Sequence, residues 1–259
     1  MSEGAELLRR DAAFDRWGAP GSSPELGDTT REMLRARMGE LEPAPAADLA
    51  DVKLPVAAAI PEAVVSAAGG PGAVSTSDED RIRHAAGSGY VDLIRLRSGT
   101  LEHAPDAVLA PADATAVEAT LAACARERIA VVPFGGGTSV VGGVEPERGS
   151  FERLVSLDLT AMRHVEVDPV SQTARLGPGL RGPEAEDALN ASGFTLGHFP
   201  QSFRYATIGG FAATRSAGQA SSGYGRFDSV VSAIELTSPA GRMRTSTRPT
   251  RPRARRCGS

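Results

Sequence analysis

The chain has 259 residues, 41% of them hydrophobic and 23% charged, and a net charge of -4. That length allows one large domain or two small ones around a sizeable core, and the composition is ordinary for a globular protein. An acidic body argues against a nucleic-acid-binding surface. The lack of any run of about 18 apolar residues argues against a membrane span, and the acidic, h-region-free start against a signal peptide. A cytoplasmic protein is therefore expected.

Aromatics make up only 5%, so the core must rest on Ala, Val, Leu and Ile, and 29 Gly with 18 Pro imply many tight turns. The charge is uneven: residues 241–259 carry seven Arg and no acid, which leaves the rest of the chain near -11. Of the two cysteines, Cys124 falls in an apolar helical pattern and Cys257 in the basic end; neither has metal spacing or a disulfide partner framework.

Residues 32–41 read as a short amphipathic helix with Met33, Leu34 and Met38 on one side. Prolines 43, 45, 55 and 61 interrupt the next twenty residues, so 1–103 is expected as an irregular extension with short helices. Residues 78–86 read as a helix capped by Asp78 and ended by Gly87, and 90–97 alternate in the manner of a strand. Regular structure starts with an apolar strand at 107–109, stopped by Pro111. A helix is predicted from Thr115, with Glu118 completing a capping box. Val117, Leu121 and Cys124 give it one apolar face. A second strand at 129–132 closes a compact βαβ unit with parallel strands. Strands are expected next at 154–159, 164–167 and 173–176, with a turn at Asp168-Pro169. A helix from Pro183 to about Ala191 has Glu184 and Glu186 near its positive end and Gly193 as its terminator.

Two segments carry the chemistry. The first comes directly after the second strand: Pro133-Phe134-Gly135-Gly136-Gly137-Thr138-Ser139. Three glycines in a row let backbone N–H groups point into one concavity, a nest suited to an anion such as a pyrophosphate, and two hydroxyls add donors. By itself the same loop reads equally well as a tight turn. It is no P-loop, because no Lys stands in it, and a G-x-G-x-x-G from Gly135 meets Val140 at its last glycine. The second segment, 197–227, is rich in Gly, Ala, Ser and Thr and poor in aliphatic bulk. A flat ligand that fills the missing volume explains this better than an exposed linker, given Phe199, Phe203, Phe211 and Phe227. His198 reads as a hydrogen-bonded turn residue before it reads as a cofactor contact. His84, His103 and His164 read as ordinary surface or satisfied histidines, and Tyr224 as core, turn or ligand packing.

With Thr214-Arg215 and Gly223-Tyr224-Gly225, these motifs resemble the FAD-binding domain of vanillyl-alcohol-oxidase (PCMH-type) flavoproteins. Within that family they look most like the alkyldihydroxyacetonephosphate synthase group. The resemblance covers roughly 104–241, with a weaker echo over 80–99. It implies an α+β fold: a PCMH-type FAD-binding domain of two α/β subdomains over 104–241, behind the extension and ahead of a disordered basic tail at 242–259. It implies that Pro133, Phe134, Gly135, Gly136, Gly137, Thr138 and Ser139 hold the FAD pyrophosphate. Gln201, Ser202, Phe203, Arg204, Tyr205, Ala206 and Thr207, with Thr214, Arg215, Ser216 and Ala217, would line the flavin and ribityl chain. Some family members attach flavin to a His in the glycine loop; this loop has none, so the FAD is expected to be non-covalent, and no metal is implied.

The resemblance further implies a small-molecule substrate and leaves room for a homodimer. Synthases of this group exchange an acyl for an alkyl group on a dihydroxyacetone phosphate ester. Oxidation of a 2-hydroxy acid or alcohol is the other enzymatic reading, and a non-catalytic FAD-binding remnant the third. No catalytic residue can be named from the sequence. The family's closing glycine segment and cap find no match here, and the composition changes past Gly241. The expectation is therefore an out-of-frame end near 241–247 of a longer reading frame.

Overall fold

The computed structural model describes residues 11–22, 25–40 and 46–246. In chain order these hold α1 (Asp28–Met38), α2 (Glu62–Ala68), β1 (Val74–Ser75), α3 (Asp78–Arg83), α4 (Tyr90–Ser98), β2 (Ala107–Leu109) and α5 (Ala114–Arg126). Next come β3 (Ile129–Phe134), β4 (Arg153–Asp158), β5 (Val165–Asp168), β6 (Thr173–Leu176) and α6 (Gly182–Asn190). The chain continues through α7 (Ile208–Thr214), α8 (Ser221–Tyr224), α9 (Phe227–Val230), β7 (Ala233–Ser238) and β8 (Gly241–Ser246).

A four-stranded sheet in the order β1-β2-β4-β3 forms the centre. β2, β4 and β3 run parallel, and β1 adds antiparallel to β2. The expected βαβ unit is present, but β4 lies between its two strands, so β2 and β3 never touch. The middle strands are covered on both faces: Ala107, Val108, Leu109, Leu154 and Val155 are all 0% exposed. Continuous apolar runs are what a parallel sheet with helices on its faces requires. Val117, Ala123 and Cys124 of α5 pack onto this sheet together with Val64 and Ala68 of α2. The region expected as an irregular extension thus supplies a strand and a helix to the main core.

Several boundaries move for identifiable reasons. Residues 90–97 form α4 and not a strand. Gly89 N–H donates to Asp92 Oδ2 at 3.1 Å, closing the first turn, and Gly99 at φ 73° ends the last. Leu93 and Leu96, three apart, reach the core beside Ile82 and Leu101, while Val91 and Ile94 face out. The apparent alternation comes from a helix with apolar residues on two sides. Ser77, not Asp78, caps α3 by accepting Asp80 N–H at 3.2 Å, and the helix ends at His84. α5 starts one residue early because Asp113 Oδ1 accepts the N–H of Thr115 and Ala116 at 2.8 and 2.9 Å. α1 is shifted toward the N-terminus of its predicted span and buries no side chain.

β5 and β6 pair around the Asp168-Pro169 turn as expected. A third core joins Leu180 and, within α6, Ala185 to Ile208, Phe211 and Phe227. Of the expected basic tail, 242–246 belong to β8, which pairs with β7 throughout; 247–259, with Cys257, lie outside the described residues. Among the described residues no helix is long and apolar enough to cross a membrane, and no His, Cys, Asp and Glu gather into a metal-binding group.

Candidate functional site

Pro133 and Phe134 close β3, so the glycines begin where the strand stops, at the C-terminal edge of the parallel sheet. Ligands of open parallel sheets bind at that edge, past the ends of the strands. Beneath the loop is a buried pair the sequence did not reveal. His84 Nδ1 donates to the Asp80 carbonyl at 2.7 Å, and its Nε2 is hydrogen-bonded with Asp158 Oδ2 at 2.8 Å. Both side chains are 1% exposed, and the imidazole rests 4.3 Å from the Phe134 ring. Asp158 is the register partner of Phe134 and takes the Thr160 N–H and hydroxyl on its other oxygen. The floor of the loop is thereby fixed from α3 and β4 at once. Classing His84 as a satisfied histidine is right; its place under the loop is legible only once 84 and 158 are brought together.

The loop is oriented by Ser88. Its N–H donates to the Ser139 carbonyl at 2.7 Å, and its hydroxyl to the Gly137 carbonyl at 2.9 Å. Ser139 Oγ accepts the N–H of Gly143 at 2.9 Å. Among the described residues no protein acceptor takes the N–H of Gly136, Gly137 or Thr138. With the carbonyls held and these amides uncommitted, the loop is a donor surface for an anion. Gly137 at φ 61° is in the left-handed region, where glycine carries no steric penalty.

The second segment meets the first directly. A Cβ on Gly136 would overlap the Tyr205 carbonyl, and one on Gly135 would overlap Thr207 Oγ1. Ala206 and Thr207 are accordingly buried, at 5% and 1% exposure. Thr207 caps α7 by accepting Gly210 N–H at 3.3 Å. Gln201, Arg204, Thr214, Arg215 and Ala217 are exposed, while Ser202, Phe203, Tyr205 and Ser216 are half-buried. His198, 2% exposed, ties the segment together. Its Nε2 meets Ser216 Oγ at 3.0 Å, and its ring lies 4.9 and 5.1 Å from Phe211 and Phe227. Burial pushes its imidazole below the ordinary 6.5. Arg215, at φ 51°, turns to Asp228 at 2.9 and 2.8 Å.

Much of the glycine content of 197–227 serves contact of chain on chain. Gly197 lies against the Tyr224 ring, Gly209 against Pro178 and Gly218 against the Phe199 carbonyl. The missing side-chain volume at these positions is filled by neighbouring protein.

The family profile described as FAD binding domain matches residues 105–247. An alkyldihydroxyacetonephosphate synthase of Trypanosoma brucei brucei is 37% identical over 167 residues, 64% of this chain and 27% of the relative. The glycolate oxidase subunit GlcD of Bacillus subtilis is 31% identical over 132 residues, 51% of this chain and 27% of the relative. A solved alkyldihydroxyacetonephosphate synthase superposes with a TM-score of 0.83 at 27% identity, over 93% of this chain and 50% of that one. The chain thus spans about a quarter of the length of these curated relatives. Uncommitted loop amides at the sheet edge fit a dinucleotide pyrophosphate, and the family match covers the loop and the 205–207 segment seated on it: the chain belongs to the FAD-binding domain family, and its cofactor is FAD.

Proposed function

We propose that this chain is the FAD-binding part of a flavoenzyme of the alkyldihydroxyacetonephosphate synthase kind, with residues 104–241 as the cofactor domain. The observation that carries the reading is the direct seating of 205–207 on Gly135 and Gly136 beside uncommitted loop amides, in a chain that superposes on such a synthase. Gly136, Gly137, Thr138 and Ser139 hold the pyrophosphate, and Pro133, Phe134 and Gly135 set the loop's exit from β3. Gln201, Ser202, Phe203, Arg204 and Tyr205, with Thr214, Arg215, Ser216 and Ala217, lie along the flavin and ribityl chain. Ala206 and Thr207 support the loop from below. The bound flavin supplies redox and adduct chemistry on a small-molecule substrate; the residues of this chain bind and orient it.

No His stands between 133 and 139, which supports non-covalent attachment. Acid precipitation of the purified protein should release the flavin into the supernatant as FAD. Flavin left in the pellet refutes the non-covalent claim, and a folded protein without flavin, which also fails to take up added FAD, refutes the site. A second reading, oxidation of a 2-hydroxy acid, is favoured by the likeness to the glycolate oxidase subunit. Bleaching of the bound flavin by glycolate or lactate under anaerobic conditions would select it.

A further inference from the structure

Residues 11–18, part of the stretch expected to be irregular, lie across the glycine loop. Asp11 takes both Nη atoms of Arg181 at 2.5 and 3.1 Å. The Ala12 carbonyl accepts Arg83 Nη1 at 3.0 Å. Asp15, 2% exposed, is held by Arg16 at 2.9 Å and Arg97 at 3.1 Å. Trp17 Nε1 donates to the Ser88 carbonyl at 3.1 Å, and its ring stands 6.1 Å from that of Tyr205. Ser88 is the same residue that orients the loop carbonyls, so strap and loop share one anchor.

Between them is a cavity of about 20 Å³, bounded by Arg16 and Trp17 above, Gly136 and Thr138 on the loop, and Tyr205 and Arg181 below. That is room for about one water. With residues 11–18 in this position, the space over Gly136 and Thr138 is too small for a pyrophosphate. The bond at its outer end is a carboxylate on a guanidinium, the geometry that a phosphate also satisfies. The Asp11 carboxyl is 55% exposed while the Arg181 side chain is 11% exposed, so the acid is the partner free to leave.

We propose that 11–18 is a strap forming the outer wall of the FAD pyrophosphate cradle, in which Arg181 exchanges the Asp11 carboxylate for the pyrophosphate and Trp17 re-seats against the bound dinucleotide. This rests on the reading of 135–139 as the pyrophosphate loop.

Trp17 is the one tryptophan in the chain, so its emission reports the strap alone. In the 259-residue protein, FAD retention is measured by ultrafiltration and Trp17 emission is titrated with ADP. ADP carries the pyrophosphate without a flavin to quench at a distance. ADP should change the emission saturably. Asp11→Asn should tighten FAD several-fold, because at this position Arg181 then gives up a neutral amide in place of a carboxylate. Arg181→Gln should weaken it about tenfold or more, as for loss of a charge-assisted pair. If Arg181→Gln fails to fold by circular dichroism, Asp11→Asn, at an exposed carboxyl, decides alone. FAD retained normally while ADP leaves Trp17 unchanged, or while Asp11→Asn leaves FAD affinity unchanged, overturns the strap and leaves the loop reading standing. Wild-type protein that retains no FAD overturns the loop reading itself.

Discussion

At the residue scale, Gly136 has a double duty that only the contact with Tyr205 makes visible. From the sequence, a side chain there would block an approaching pyrophosphate. In the structure it would first strike the Tyr205 carbonyl. Gly136→Ala should therefore lower stability as well as affinity, by about 1–3 kcal/mol as for overpacking of a close contact. Urea unfolding with an FAD titration on the same sample checks both; a variant that loses affinity at full stability would show the loop meeting the ligand alone. His198 makes a prediction in pH. Its folded pKa is depressed by burial, so the unfolded chain takes up a proton near 6.5 while the folded chain resists it. Stability is full above that value and falls as pH drops below it, by up to about 1.4 kcal/mol per pH unit. His198→Gln should flatten this slope whatever it does to the absolute stability, measured as urea midpoints between pH 5 and 7.5.

At the element scale, the sequence is readable wherever one local rule acts alone. The 107–109 strand, the 173–176 strand and α6 fall where apolar runs, a turn and a terminating glycine put them. Misreadings arise where two signals compete. Residues 90–97 satisfy a period of two while Gly89, Asp92 and Gly99 mark helix ends. At α5, Thr115 with Glu118 imitates a capping box two residues late, although Asp113 makes both cap bonds. The two assignments predict different mutants. Asp113→Ala should cost about 1 kcal/mol, the usual value of a lost N-cap, whereas Thr115→Ala should stay within a few tenths. Equal losses from the two would show that Thr115 shares the cap. The His84–Asp158 pair and the Asp11–Arg181 pair are invisible for a different reason: each joins residues far apart, 74 and 170 positions respectively. Periodicity carries no information about such separations.

At the scale of the whole molecule, Cys124 is a built-in reporter of cooperative opening. It is 1% exposed, in the core shared by α2, α5, β2 and β4. Burial raises its thiol from 9.0 to about 11. The unfolded chain releases that proton first, so stability is full below 9 and is lost as pH climbs from there toward 11. At pH 8 the folded thiol is both inaccessible and protonated, and alkylation proceeds only through molecules whose core has opened. A Cys257→Ser variant leaves Cys124 as the single thiol of a chain with two cysteines. Its labelling by iodoacetamide then measures the open population when closing is faster than the chemistry. FAD binds the loop at the end of β3, and β3 is one wall of that same core. If loop and core form one cooperative unit, cofactor at 100 times its Kd stabilises the closed state by about 2.7 kcal/mol. Labelling of Cys124 should then slow by about a hundredfold. Slowing much smaller than that, at verified saturation, would mean that the core opens while the loop keeps its ligand. The sheet edge and the core behind α5 would then be separate units of stability.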